Sequence, residues 1–289
     1  MIINWYPGHM AKARRLIEAN LKVIDVVIEL VDARIPMSST NPMIASLIGQ
    51  KPSVVVMNKA DLADPEMVKE WVQYYKKQGR IVLPLNSKDG KGVKQLVALV
   101  RKLAEPKLAH WRARGLKNRS VRTMILGIPN VGKSTLINKL ARRSAAKTAD
   151  KPGETKGKQW VHIGDQLDLL DTPGVLWPKL ENQVSAYRLA ATGAISDTVF
   201  DMETVITQLI EELSRFYADE LLARFKLDAL GAAPLETIEA IGRKRGCIVA
   251  GGVVDMEKTY KLILKEYREG KIGLISLDRC GEDFGGGES

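Results

Sequence analysis

Cysteine and histidine are scarce in this chain, at two and three among 289 residues. Cys247 and Cys280 are far apart and have no Cys or His neighbours at metal-binding spacing, so they read as ordinary thiols rather than zinc ligands. No run approaches the roughly 20 apolar residues that a membrane-spanning helix requires. The start, Met1-Ile2-Ile3-Asn4-Trp5, also lacks the basic region and apolar stretch of a secretory leader. A cytoplasmic protein without a membrane partner is expected. Acidic residues are missing from one stretch: positions 101–158 hold 16 Lys or Arg against Glu105, Asp150 and Glu154 alone. That local excess is larger than the net charge of +10 for the whole chain, and it favours a polyanionic partner held through phosphate contacts.

What is present suits a folded protein. Hydrophobic residues at 45% and charged residues at 27% supply at least one substantial core, and the length favours two domains over one. Residues 24–31 (IDVVIELV), 53–57 (SVVVM) and 81–85 (IVLPL) read as buried strands of a parallel sheet. Helices are expected over 10–21, 41–48, 65–78 and 93–103, the third opening with Asp64-Pro65-Glu66: an N-cap, a proline and an acid. The basic stretch 107–122 contains Trp111 and Gly115 but little apolar periodicity, and reads as a linker. Residues 122–127 resume a strand, 133–141 a helix, and 159–170 two strands around Gly164-Asp165. This alternation predicts an α/β, doubly wound layout. Beyond Trp177-Pro178 only amphipathic helical patterns remain, at 205–217, 235–243 and 256–269. The chain therefore divides into an α/β domain over 1–178 and a smaller all-helical domain over 179–289.

The strongest motif is Gly127-Ile128-Pro129-Asn130-Val131-Gly132-Lys133-Ser134, which has the phosphate-loop spacing and lies between a strand and a helix. Backbone amides there, from Asn130 through Thr135, can cradle phosphates. Lys133 can reach the β and γ oxygens, and Ser134 can ligate Mg²⁺. Asn58-Lys59-Ala60-Asp61 follows the strand SVVVM and matches the NKxD pattern that recognises guanine. A carboxylate at Asp61 can accept two guanine protons, a donor pair that adenine lacks, and leaving it unpaired is costly. Ser87 and Lys88, in Asn86-Ser87-Lys88, are similar to the short loop that lies over the base. Asp171-Thr172-Pro173-Gly174 resembles the DxxG switch motif, a likeness that implies Asp171 holding Mg²⁺ through water and the Gly174 amide meeting the γ-phosphate. Thr155, in Pro152-Gly153-Glu154-Thr155, stands where a first switch offers Mg²⁺ a hydroxyl; Thr148 competes for that role.

In chain order these elements run base recognition, base loop, phosphate loop, first switch, second switch, a permutation of the order in common small GTPases. One nucleotide cannot employ all the cations of 101–158, so nucleic acid is the expected further partner. The order, with Trp5-Tyr6-Pro7-Gly8-His9-Met10-Ala11-Lys12-Ala13, Val31-Asp32-Ala33-Arg34-Ile35-Pro36, DTPGVLWP at 171–178 and Arg245-Gly246-Cys247, closely resembles the circularly permuted GTPases of the YlqF/YawG family. The resemblance runs along nearly the whole chain; the base loop at Asn86-Ser87 departs from the broader GTPase pattern. It implies a GTP-hydrolysing factor in late maturation of the large (50S) ribosomal subunit. Such a factor binds rRNA through its helical tail in a GTP-dependent manner, meets ribosomal proteins, is stimulated by the subunit, and is monomeric off the ribosome.

The position after DxxG, a glutamine in many small GTPases, is Val175, which cannot orient water. The resemblance nominates His9 instead, since an imidazole near neutrality can orient water and share its proton. A capping or packing role in the first helix is the alternative. Asn130 resembles the residue of GTPases that use K⁺ as an extra positive charge beside the β and γ phosphates. His110 and His162 have no motif support. Two competing functions are an RNA-binding nucleotide sensor without useful turnover and an ATP-dependent kinase; the Asp61 motif opposes the second.

Overall fold

The computed structural model describes residues 7–116, 119–145, 160–172, 174 and 182–282, with the side chains of 7–13 and 143–145 excepted. The chain runs α1 (Pro7–Leu21), β1 (Val26–Asp32), α2 (Pro42–Ile48), β2 (Ser53–Asn58), α3 (Pro65–Lys77), β3 (Val82–Pro84) and α4 (Val93–Ala113). It continues with β4 (Val121–Gly127), α5 (Lys133–Ala145), β5 (Trp160–Ile163) and β6 (Leu167–Leu170). The six strands form one sheet in the order β3-β2-β1-β4-β6-β5, with every neighbouring pair parallel except β5 and β6.

Alternation along each strand decides which helices cover which face. Val26, Ile28 and Leu30 of β1 join Val54 and Val56 of β2 in a core with Val93, Leu96 and Val100 of α4 and Leu136, Ile137 and Leu140 of α5. The intervening Val27 meets Ile17 and Leu21 of α1 and Ile44 and Ile48 of α2. Val31, Val55 and Met57 pack on Trp71 and Tyr75 of α3. The sheet is covered on both faces, which is why its central strands are mostly apolar, with Glu29 and Asp32 the acids of β1.

The linker reading of 107–122 is corrected: α4 continues through Ala113. Val93, Leu96, Val100, Ala104 and Trp111 are its buried residues, at helical spacing, so the stripe runs through the basic segment. Cations hide the pattern by packing on it. Arg119 lies 3.6 Å from the Trp111 ring centroid and Lys107 5.3 Å, while Lys107 also pairs with Asp25 at 2.6 Å.

After residue 182 the described chain is helical: α6 (Gln183–Thr192), α7 (Met202–Phe216), α8 (Ala218–Phe225), α9 (Pro234–Lys244) and α10 (Met256–Arg268), with an isolated bridge from Ile248 to Val254. The proposed division at 178/179 lies outside the described residues. Residues 275–278 return to the α/β part. Ile275 N donates to Leu62 O at 3.1 Å, Leu277 N to Arg34 O at 2.8 Å, and Ser38 N to the Asp278 carboxylate at 2.7 Å. Trp71 Nε1 donates to Asp278 O at 3.2 Å. No helix among the described residues is long and apolar enough to cross a membrane.

Candidate nucleotide site

In an open parallel sheet, ligands gather beyond the carboxyl ends of the strands, where the strand order reverses. Here the reversal falls between β1 and β4. At that edge β1 ends on Asp32, β2 on Asn58, β4 on Gly127 and β6 on Leu170, one residue before Asp171. The short β3 leads into Asn86, Ser87 and Lys88. Four of the five expected loops are thus neighbours; the first switch, with Thr155, lies outside the described residues.

Asn58 joins three of them. Its buried side chain donates Nδ2 to Val131 O of the phosphate loop at 2.7 Å, while Oδ1 accepts from Ser87 N at 3.0 Å. Gly132, with φ +104°, makes this possible: a Cβ there would collide with Asn58 Nδ2. Asn86 Oδ1 in turn accepts from Lys88 N at 2.8 Å and sets the turn of the base loop. Asp61 is exposed. A cavity of about 680 Å³ is lined by Ser87, Lys88, Thr135, Asn138, Lys139 and Arg142 among others.

The phosphate loop encloses a second cavity of about 580 Å³, whose lining includes Asn130, Lys133, Ser134, Thr135, Asp171 and Gly174. Lys133 is buried and donates Nζ to Gly127 O at 3.0 Å and Ile128 O at 2.8 Å. Burial pushes its pKa down to about 8, against an upward pull from Asp171. Exposed Ser134 and Thr135 follow at the start of α5, where first-turn amides have no partner within the helix. Gly174 admits no side chain, because a Cβ would stand 2.8 Å from Pro129 Cα and 2.9 Å from Lys133 Nζ. The Thr172 hydroxyl, bonded to Ile125 O, ties this segment to β4. Ser134 and Asp171 bring a hydroxyl and a carboxylate to one cavity, hard oxygen donors of the kind Mg²⁺ takes beside its waters. Asn130, at φ +56°, donates Nδ2 to Gly193 O at 2.8 Å, which leaves its amide oxygen as the end available to a cation.

Asp32 and Arg34 belong to the family-like Val31–Pro36 segment, whose sequence assigns them no task. Both are buried. Asp32 Oδ2 stands 2.8 Å from Arg34 Nη2 and 2.9 Å from Lys59 Nζ, so one carboxylate holds the lysine of the Asn58–Asp61 loop. Burial alone would raise the Asp32 pKa, but Arg34 and then Lys59 outweigh it and hold the group well below the usual carboxylate range. The register pairing Asp32 with Asn58 puts them side by side. An acid ending a strand adjacent to β2 was the available signal. His9 falls in the first turn of α1, with its side chain outside the described residues, as are Thr148, Thr155 and Val175 altogether.

Comparison with known proteins fits this geometry. A family profile described as "50S ribosome-binding GTPase" matches residues 122–225. The chain is 49% identical to "Ribosome biogenesis GTPase A" of Priestia megaterium, over 96% of this chain and 97% of the relative. It is 46% identical to the protein of the same name from Bacillus cereus, over 99% and 96%. Among solved structures, GNP-bound YlqF from T. maritima superposes with a TM-score of 0.70 at 28% identity, covering 94% of this chain and all of that one. With a phosphate loop, an NKxD loop and a DxxG segment on one sheet edge, and such identity over nearly its full length, the chain belongs to the ribosome biogenesis GTPase A (YlqF) family.

Proposed function

We propose that this protein binds GTP and hydrolyses it to GDP and phosphate while acting on a precursor of the large ribosomal subunit, late in its maturation. The observation that carries this reading is Asn58, whose two amide ends join the base loop and the phosphate loop into one receptor. In it Asp61 accepts the guanine protons, Lys59, Ser87 and Lys88 hold the base, Asn58 secures the loops around it, and Asn130 through Thr135 surround the phosphates. Lys133 exchanges its two carbonyl partners for phosphate oxygens. Ser134, Thr155 and, through water, Asp171 would hold Mg²⁺, and the Asn130 oxygen would face K⁺. Bound there, the cations neutralise charge that builds on the phosphates during transfer. Gly174 senses the γ-phosphate, and His9 orients the attacking water because Val175 cannot.

The partner reading rests on charge and on the names of the relatives. Arg101, Lys102, Arg112 and Arg114 of and after α4, with Arg142 of α5, are exposed on the covering layer of one sheet face, and α9 ends in Arg243 and Lys244. Such surfaces suit rRNA phosphates. The division at 178/179 then separates a permuted GTPase domain from an RNA-contacting helical one, in a cytoplasmic factor that is monomeric off the ribosome. Cosedimentation with large-subunit precursor particles tests this. A non-hydrolysable GTP analogue should retain the protein on the particles and GDP should release it; equal retention in both states, or none, contradicts the reading.

A further inference from the structure

The last carbonyls of a helix have no partners within it and are ordinarily left to water or caps. At the end of α6 they are taken by side chains from three separate places. Arg268 of α10 donates to Ala190 O at 2.8 Å and Ala191 O at 3.0 Å, placing a cation where the helix dipole favours one. Asn130 of the phosphate loop donates to Gly193 O at 2.8 Å. Arg34 Nη2 lies 3.5 Å from Thr192 O. The helical region also grips Arg34 elsewhere: its carbonyl accepts from Leu277 N at 2.8 Å, and its guanidinium lies 5.4 Å from the Tyr267 ring centroid.

Arg34 therefore faces two ways. Towards the sheet it shares the Asp32 carboxylate with Lys59, a non-glycine residue in the left-handed region at φ +60° that needs such a hold. Towards the helices it is fixed by Leu277, Tyr267 and the α6 end. We propose that Arg34 is a positioning residue that couples guanine recognition to the helical region: the Asn58–Asp61 loop is set through Asp32 and Lys59 only while the α6 end and the 275–278 segment are docked on Arg34. The inference rests on reading Asn58–Asp61 as the guanine loop. It differs from a coupling through Gly174 in that any guanine nucleotide operates it, GDP included. Thermodynamic reciprocity then requires bound guanine to stabilise that docking by the same factor by which docking improves guanine affinity.

The test is amide hydrogen exchange of the full chain over residues 186–194 and 272–278, with and without saturating GDP, together with GDP affinity. The wild-type protein should show exchange slowed by about 5-fold or more on GDP binding, the lower end of usual coupling. Arg34→Met should abolish that protection and weaken GDP by a like factor. Arg34→Lys should do so in part, because a lysine cannot bridge Asp32 while stacking on Tyr267. GDP that leaves 186–194 and 272–278 unprotected in the wild-type chain overturns the proposal whatever the variants do. Asp61→Ala separates the two readings. If it keeps the preference for GDP over ADP, the guanine-loop reading fails. If it loses that preference while Arg34→Lys retains full GDP protection, the loop stands and the coupling is wrong.

Discussion

The two ends of the nucleotide site are built differently. At the base end Asn58 spends both amide ends on neighbouring loops, and Asp32 spends its carboxylate on Arg34 and Lys59. At the phosphate end Lys133 borrows the carbonyls of its own loop, and Ser134 and Thr135 are exposed. On the proposed reading, the base end is organised before ligand arrives, whereas the phosphate end is completed by it. Preorganisation of the first kind favours discrimination between bases, and a cavity of the second kind lets phosphate content be sensed.

Substitutions can break that contrast. The largest effect is expected from Lys133→Met, which should slow GTP hydrolysis about 10²–10³-fold, as loss of a charge-stabilising donor does. It should change ligand-free thermal stability little, since relief of the buried charge offsets the donor that Gly127 O and Ile128 O lose; a large drop in melting temperature would show that the phosphate end is also preorganised. Asn58→Ala should do the reverse. It strands Val131 O and Ser87 N in a buried setting, at a cost of about 3 kcal/mol in all. Melting without nucleotide reads this directly, and an unchanged midpoint would remove Asn58 as the joint.

The pH dependence sharpens the comparison further. With the ligand-free Lys133 pKa near 8, the amine is charged below that pH and ready for phosphate. Above it the amine must first take up a proton. GTP affinity measured by titration should hold level to about pH 8 and then weaken by up to about tenfold per pH unit. The linked effect on stability has the opposite direction: the cost of burying the charge is present below pH 8 and is relieved as pH rises through it. Replacing K⁺ by Na⁺ at constant ionic strength is the smallest perturbation. It should slow hydrolysis several-fold without altering GDP affinity, and an unchanged rate would withdraw Asn130 as a cation ligand.

Much of this was legible because function sits at strand ends. β2 was expected over 53–57 and is Ser53–Asn58, so the loop after it could be placed from sequence. Asp64 caps α3 through Glu66 N at 2.9 Å, as the Asp-Pro-Glu signal implied. The α4 extension was hidden by cations lying on its apolar stripe. α6 gave no periodic signal because it is buried nearly all round, from Ser185 through Thr192 with only Tyr187 less enclosed, and α8 is only eight residues long. The role of Arg34 was out of reach for another reason: its partners Thr192, Tyr267 and Leu277 are more than 150 residues away in sequence, and no local pattern announces them.

The most direct measurement is GTP hydrolysis by the full chain alone and with added large-subunit precursor particles. Turnover should be slow alone and at least about tenfold faster with the particles, a modest share of what a supplied transition-state group can give. An identical rate in the two conditions would contradict the proposed function and leave an RNA-binding nucleotide sensor in its place.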